Sequence, residues 1–211
     1  MNPKNLFFFF LILLFTQSCR KDDRNIDDGL NPCFAGVYDS TYIYTDINAF
    51  IPIEWDSDSL YGRGSLTTDI DMDDLHDIEF TIELINSDSA DIINYTPELY
   101  PSFKCQTSNE IDILVYTEVV YTGMGGSNNA IRVKALEQNY RIDQPMTFAS
   151  FNTSTFWIEF PVYATAHHGE FYSINEETYF GFRFKGSRFG WIKIDMTDKH
   201  NPYIVSCAVQ K

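Results

Sequence analysis

Positive charge is scarce in this chain. Of 211 residues, 15 are Lys or Arg against 30 Asp or Glu, a formal net charge of −15. Such a surface repels phosphate backbones and anionic head groups, which excludes nucleic acid as a partner. Histidine is scarce too, with four residues. His76 and His200 lack a partner at metal-ligand spacing, and the adjacent His167 and His168 would point to opposite faces of a strand. There is no His-Glu-x-x-His, no Gly-x-Ser-x-Gly and no phosphate-binding glycine loop ending in Lys-Ser/Thr. Long apolar runs are also missing. The longest, Leu6 to Phe15, falls well short of the ~20 residues that cross ~30 Å of hydrocarbon.

What is there begins with that short run. Lys4 and the amino terminus are positive, Leu6 to Phe15 is apolar, Thr16-Gln17-Ser18 is small or polar, and Cys19 follows. A cationic start, a short apolar core and small residues before a cut describe a secretory signal peptide over residues 1–18. Ser18-Cys19 resembles the lipobox of bacterial lipoproteins, in the loose form of Bacteroidetes-type bacteria, since Gln17 and Thr16 depart from the strict pattern. The resemblance implies that Cys19 is lipidated and becomes the first residue. Lys21-Asp22-Asp23 is similar to the charged signal that sends such lipoproteins to the outer-membrane surface. Each buried acyl methylene contributes ~0.8 kcal/mol, so two or three chains would hold the protein to the membrane without a spanning segment. Residues 19–33 are expected to form a polar tether, and 34–211 one domain, large enough at roughly 175 residues for a sizeable core.

Aromatic residues make up 16% of the chain, and Gly, Asn, Asp and Ser punctuate it often, which favours many short strands over helices. Beside Cys19, three cysteines remain for an oxidising compartment. Cys33 and Cys207 flank the first and last strand candidates, so a Cys33–Cys207 disulfide is the expected pair, with three buried thiols as the alternative.

The clearest strand is Asp77 to Ile85, where Ile78, Phe80, Ile82 and Leu84 alternate with Asp77, Glu79, Thr81 and Glu83. Further strands are expected around Val37–Tyr44, over Phe50–Trp55 as an edge broken by Pro52, and over 90–95, 111–121, 130–134 and 155–163. Residues 177–184, 189–195 and 203–210 read as a closing meander. A glycine-rich hairpin loop surrounds Met124, and Ala135 to Asn139 leans to one helical turn. Strands at this spacing without helices predict an all-β antiparallel sandwich, jelly-roll-like, of nine to eleven strands.

One stretch could carry an ion. In Asp69-Ile70-Asp71-Met72-Asp73-Asp74-Leu75-His76-Asp77, carboxylates at positions one, three, five and nine, with the Leu75 carbonyl at seven, could wrap a structural Ca2+. Asp74 stands where glycine is usual, at a sharp turn that Asp tolerates better than most residues. Position twelve is Phe80 rather than glutamate. The competing reading is an acidic, solvated hairpin end.

Glu110-Ile111-Asp112-Ile113 resembles the catalytic strand of laminarinase-like β-sandwich glycoside hydrolases, which implies a divergent carbohydrate-active enzyme as an alternative function. Leu114 and Val115 occupy the place of the second acid, and Glu118 lies ~10 Å too far along a strand, against the ~5 Å that retaining chemistry requires. Trp55, Trp157 and Trp191 could stack on sugar rings or fill the core.

Tyr179-x-Gly181-x-Arg183-Phe184, then Phe189-Gly190-Trp191 and a terminal strand, resembles the C-terminal pattern of small secreted bacterial domains of unknown function. These also carry an Asp-rich segment running into a strand, which Asp69 to Ile78 matches apart from Asp74. Gly181 and Gly190 are expected to permit close strand packing, and Arg183 to bond a loop carboxylate. The expectation is a lipid-anchored binding or structural protein of the outer membrane, surface-exposed, with a glycan or protein ligand. A passive adhesion module is the remaining alternative.

Overall fold

Period-two patterning folds as thirteen strands among the described residues: β1 Tyr42–Phe50, β2 Ile53–Trp55, β3 Tyr61–Thr68, β4 Ile78–Asn86, β5 Leu99–Thr107, β6 Ile111–Thr122, β7 Gly126–Val133, β8 Phe148–Ser150, β9 Phe156–Val162, β10 Ala166–His168, β11 Glu177–Phe184, β12 Arg188–Asp195 and β13 Tyr203–Gln210. The computed structural model describes residues 32–58, 61–86, 99–108, 110–122, 126–142, 146–150, 156–162, 166–168, 170–184, 186–198 and 200–211. Cys19, Lys21, Asp22, Asp23, the expected strand at 90–95 and the loop at Met124 lie outside the described residues. The strand number exceeds nine to eleven because β2, β8 and β10 have three residues each.

The strands form two antiparallel sheets. One runs β1-β13-β12-β11-β6-β7, with β8 also on β6; the other runs β10-β9-β5-β4-β3-β2. The inner faces meet in one core. From β4 come Ile78, Phe80, Ile82 and Leu84; from the other sheet come Ile111, Ile113, Phe180, Phe182, Phe184, Ile192 and Val209. Phe80 meets Phe180 edge-on, with ring centroids 6.1 Å apart. Each such side chain contributes ~1.5–3 kcal/mol on full burial, so the alternation seen in β4 holds the sheets together.

The seven-stranded sheet is covered on its outer side as well. Leu114, Tyr179, Phe189, Trp191 and Ala208 form a second cluster beneath Cys33, Ala35, Leu136 and Ile142. Burial on both faces explains why β11, β12 and β13 read as nearly continuous apolar runs. The cover is stitched by backbone bonds: Ala35 N–H donates to Tyr140 O at 2.8 Å, Asn139 to Ala35 O at 2.8 Å and Ile142 to Cys33 O at 2.6 Å. The Trp191 indole N–H donates to Val37 O at 3.1 Å.

Two expectations change here. The 135–139 segment is not a helical turn: Leu136 bridges Tyr179, exchanging backbone bonds with it at 2.7 and 3.1 Å, and Asn139 takes φ 67°. Pairing to a strand outweighs local propensity. The Cys33–Cys207 disulfide is not formed, and Cys33, Cys105 and Cys207 are all buried thiols. Cys33 belongs to the outer cluster and Cys207 to the core between the sheets. Cys33 precedes β1 and Cys207 lies within β13, the strand paired with β1, but their side chains belong to clusters on opposite faces of one sheet.

Candidate functional site

The Asp69–Asp77 loop connects β3 to β4, whose ends pair Thr68 with Ile78. Asp77 N–H closes it by donating to Thr68 O at 2.9 Å. Asp69 organises the turn: Oδ1 accepts from the backbone N–H of Met72 at 2.7 Å and of Asp73 at 3.3 Å, and Oδ2 from Asp74 at 2.8 Å. Met72 and Asp74 take positive φ, 61° and 68°, so Asp74 does adopt the left-handed conformation usually given to glycine. Ile70, fully buried, plugs the loop into the core.

Three of the expected ligands come together. Asp69, Asp71 and Asp77 each offer an oxygen within 4.8 Å of the others. Asp73 does not join them. It is exposed, and its Oδ1 accepts from Leu75 N–H at 3.0 Å; the Leu75 side chain points to solvent. Asp77 is buried, and its Oδ2 accepts from Ile70 N–H at 2.8 Å. Burial first, and then the charges of Asp71 and Asp69, push its carboxyl above the ordinary aspartate range, while backbone N–H groups of Ile70 and Asp71 pull it down. A group shifted this way gains by any nearby cation.

The chain supplies one itself. Arg188, at the start of β12 in the opposite sheet, donates from Nη2 to Asp71 Oδ2 at 2.8 Å, with side chains 21% and 9% exposed. Its guanidinium lies over the Phe184 ring at 4.4 Å. No spacing rule links positions 71 and 188, so this partner was not readable from the sequence.

Arg183 binds a strand carboxylate rather than a loop one. Its Nε and Nη2 donate to Asp112 Oδ2 at 3.0 and 2.5 Å, because β11 and β6 place the two residues in register. Phe148 flanks the guanidinium at 5.1 Å. Asp112 is therefore engaged as an ion-pair partner and Glu110 is exposed; the side chain of Glu118 is outside the described set.

The tryptophans divide. Trp191 is core. Trp55 is 43% exposed and lies against Gly62, where a Cβ would stand 3.1 Å from the indole; the Trp157 side chain is outside the described set. Tyr38, 50% exposed, stacks on Tyr44 with ring centroids 4.0 Å apart and an interplanar angle of 13°. Nothing in the sequence singled out Tyr38.

Fold and site together define an all-β, two-sheet sandwich with an acidic loop clasped by an arginine of the opposite sheet. No protein-family model, curated protein or solved structure matches the chain.

Proposed function

We propose that this is a lipid-anchored protein of the bacterial outer membrane, displayed at the cell surface, with a binding or structural role. The observation that carries the reading is the order Lys4, Leu6–Phe15, Ser18-Cys19, then Lys21-Asp22-Asp23. A cleavable leader, a lipidated thiol and an export signal account for all four parts. A glycan or protein ligand fits the strongly acidic sandwich better than any polyanion. The divergent-glycosidase reading is weakened by Asp112, whose carboxylate already answers Arg183. Mass spectrometry of the mature N-terminus tests the anchor: a diacyl or triacyl Cys19 is expected, and an unmodified chain retaining residues 1–18 would overturn it. Protease shaving of intact cells tests display, since a periplasmic protein would survive.

A second reading, a structural calcium ion, draws support from the convergence of Asp69, Asp71 and Asp77. The donor set is carboxylate oxygen, the chemistry calcium takes, but three carboxylates fall short of six to eight oxygens without backbone carbonyls or water. Arg188 competes for Asp71. Any such ion would bind in the weak range of extracellular modules, Kd ~10⁻⁴–10⁻³ M.

A further inference from the structure

We infer that the outer side of the seven-stranded sheet, around Val37 and Tyr38, is the side of the domain that rests against a lipid surface; this deepens the proposed anchor and depends on it. The chain enters the sandwich on this side. Cys33 and Ala35 are fully buried in the outer cluster and bonded to residues 139–142. The segment from Cys19 to Pro32 has a contour of at most about 45 Å at ~3.5 Å per residue. An anchor on Cys19 therefore keeps the chain's point of entry within that reach of the bilayer, at an effective concentration in the millimolar range, so weak contacts on this side suffice to set the orientation.

The exposed chemistry there suits an interface. Val37 and Tyr38 are 42% and 50% exposed, and Tyr38 stacks on Tyr44 with Trp191 6.2 Å from its ring. Tyrosine offers an apolar body and a polar tip, which favours the head-group zone. Cations stand nearby. Lys211 Nζ donates to Ser40 O at 2.6 Å, Lys134 lies over Tyr140 at 5.8 Å, and Arg141 bridges Phe34 in the cover. With Lys193 and Arg183, which pair with Glu177 and Asp112 on the same side, they also face Asp39, Asp46, Glu137 and Asp195, so five cations nearly balance six acids among the described residues there.

The opposite side is unsuited. The outer positions of β2, β3 and β4 carry Glu54, Glu79 and Glu83 against Arg63 among the described side chains. Turning that side outward keeps the negative charge away from the negative potential of a membrane surface.

The test uses the full lipidated chain on phosphatidylcholine–phosphatidylethanolamine vesicles containing a nitroxide-labelled lipid. A fluorophore is placed by Ser40→Cys beside Tyr38, or by Ser65→Cys on the outer side of β3; the buried thiols do not compete for label. Quenching several-fold stronger at position 40 than at 65 is expected, reduced when Tyr38→Ser is added. Equal quenching at both positions in protein that floats with the vesicles overturns the inference and leaves the anchor standing. Protein that does not float removes both. A label at 40 shielded on cells yet unquenched by lipid would mean that a protein or glycan covers this side, which also overturns it.

Discussion

Arg188 and Asp71 join the two sheets: a guanidinium on β12 bonds a carboxylate in the β3–β4 loop at 2.8 Å, 117 residues away in sequence. Asp71 is nearly enclosed and Arg188 mostly so, so removing one partner leaves the other's charge poorly solvated. Arg188→Ala is expected to lower stability by about 1–3 kcal/mol, less than a fully buried pair would lose. A double-mutant cycle with Asp71→Asn, read by chemical denaturation, should show coupling well above 0.5 kcal/mol, roughly the additivity limit for independent sites. Additive losses would mean that the contact holds nothing.

Gly190 has no room for a side chain. A Cβ there would press on Phe182 Cζ and on the Ala208 carbonyl oxygen, and backbone cannot move aside as a side-chain tip can. Gly190→Ala is expected to cost about 3 kcal/mol or more, the upper end of overpacking. Gly186→Ala is the control. Nothing lies within 4 Å of a Cβ there, but φ is +76°, so only the left-handed penalty of about 1–2 kcal/mol applies. Thermal unfolding of both variants checks the order; a milder effect at 190 than at 186 would contradict it.

Sandwich class and several strands were legible because their inner positions carry apolar side chains. The predicted 77–85 became Ile78–Asn86, and the closing meander fell within a residue of its predicted ends. Strand β3 was not legible. Its inner positions include Gly62 and Gly64, whose side-chain space is taken by Ile53, Trp55, Ile51 and the Pro52 carbonyl, so no alternation shows. Strand β5 hid behind Pro101, a residue that argues against an interior strand. The outer cluster could not be foreseen either, because apolar runs reveal burial on two faces without saying what lies above them. At the site, the aspartates were readable from spacing. Which of them converge depended on backbone N–H groups taking up Asp69 and Asp73, and on an arginine from the other sheet.

The buried thiols set a penalty at high pH. Burial raises Cys207 to about 12, with the Thr45 hydrogen bond opposing and Asp77 and Asp69 adding; burial alone pushes Cys105 up further. In the unfolded chain both ionise near 8.5. Because the folded pKa is the higher one, the stability these groups lend is complete below about pH 8 and is lost as pH rises toward the folded value. Each thiol should contribute a slope of about 1.4 kcal/mol per pH unit above 9. Denaturation midpoints measured from pH 8 to 11 should fall, and Cys207→Ala should flatten the curve by one thiol's share. An unchanged slope would mean that Cys207 ionises in place. Non-reducing mass analysis should likewise find no Cys33–Cys207 bridge.

Calcium, if the acidic loop takes it, should act through Asp69, Asp71 and Asp77 and be indifferent to Asp73. At about ten times Kd, an ion bound only to the folded state adds ~1.4 kcal/mol, which for a domain of this size raises Tm by about 3–5 °C. Asp69→Asn or Asp71→Asn should abolish the response. Asp73→Asn should keep it, since that side chain caps Leu75 N–H rather than facing the cluster. Arg188→Gln separates the two cations: with the guanidinium gone, Asp71 is left for the ion, and the calcium-induced rise in Tm should grow even as the baseline Tm falls. A Tm identical in excess chelator and in millimolar calcium, for both the parent and Arg188→Gln, would mean that the loop is held by its own N–H groups and its arginine, with no part for metal.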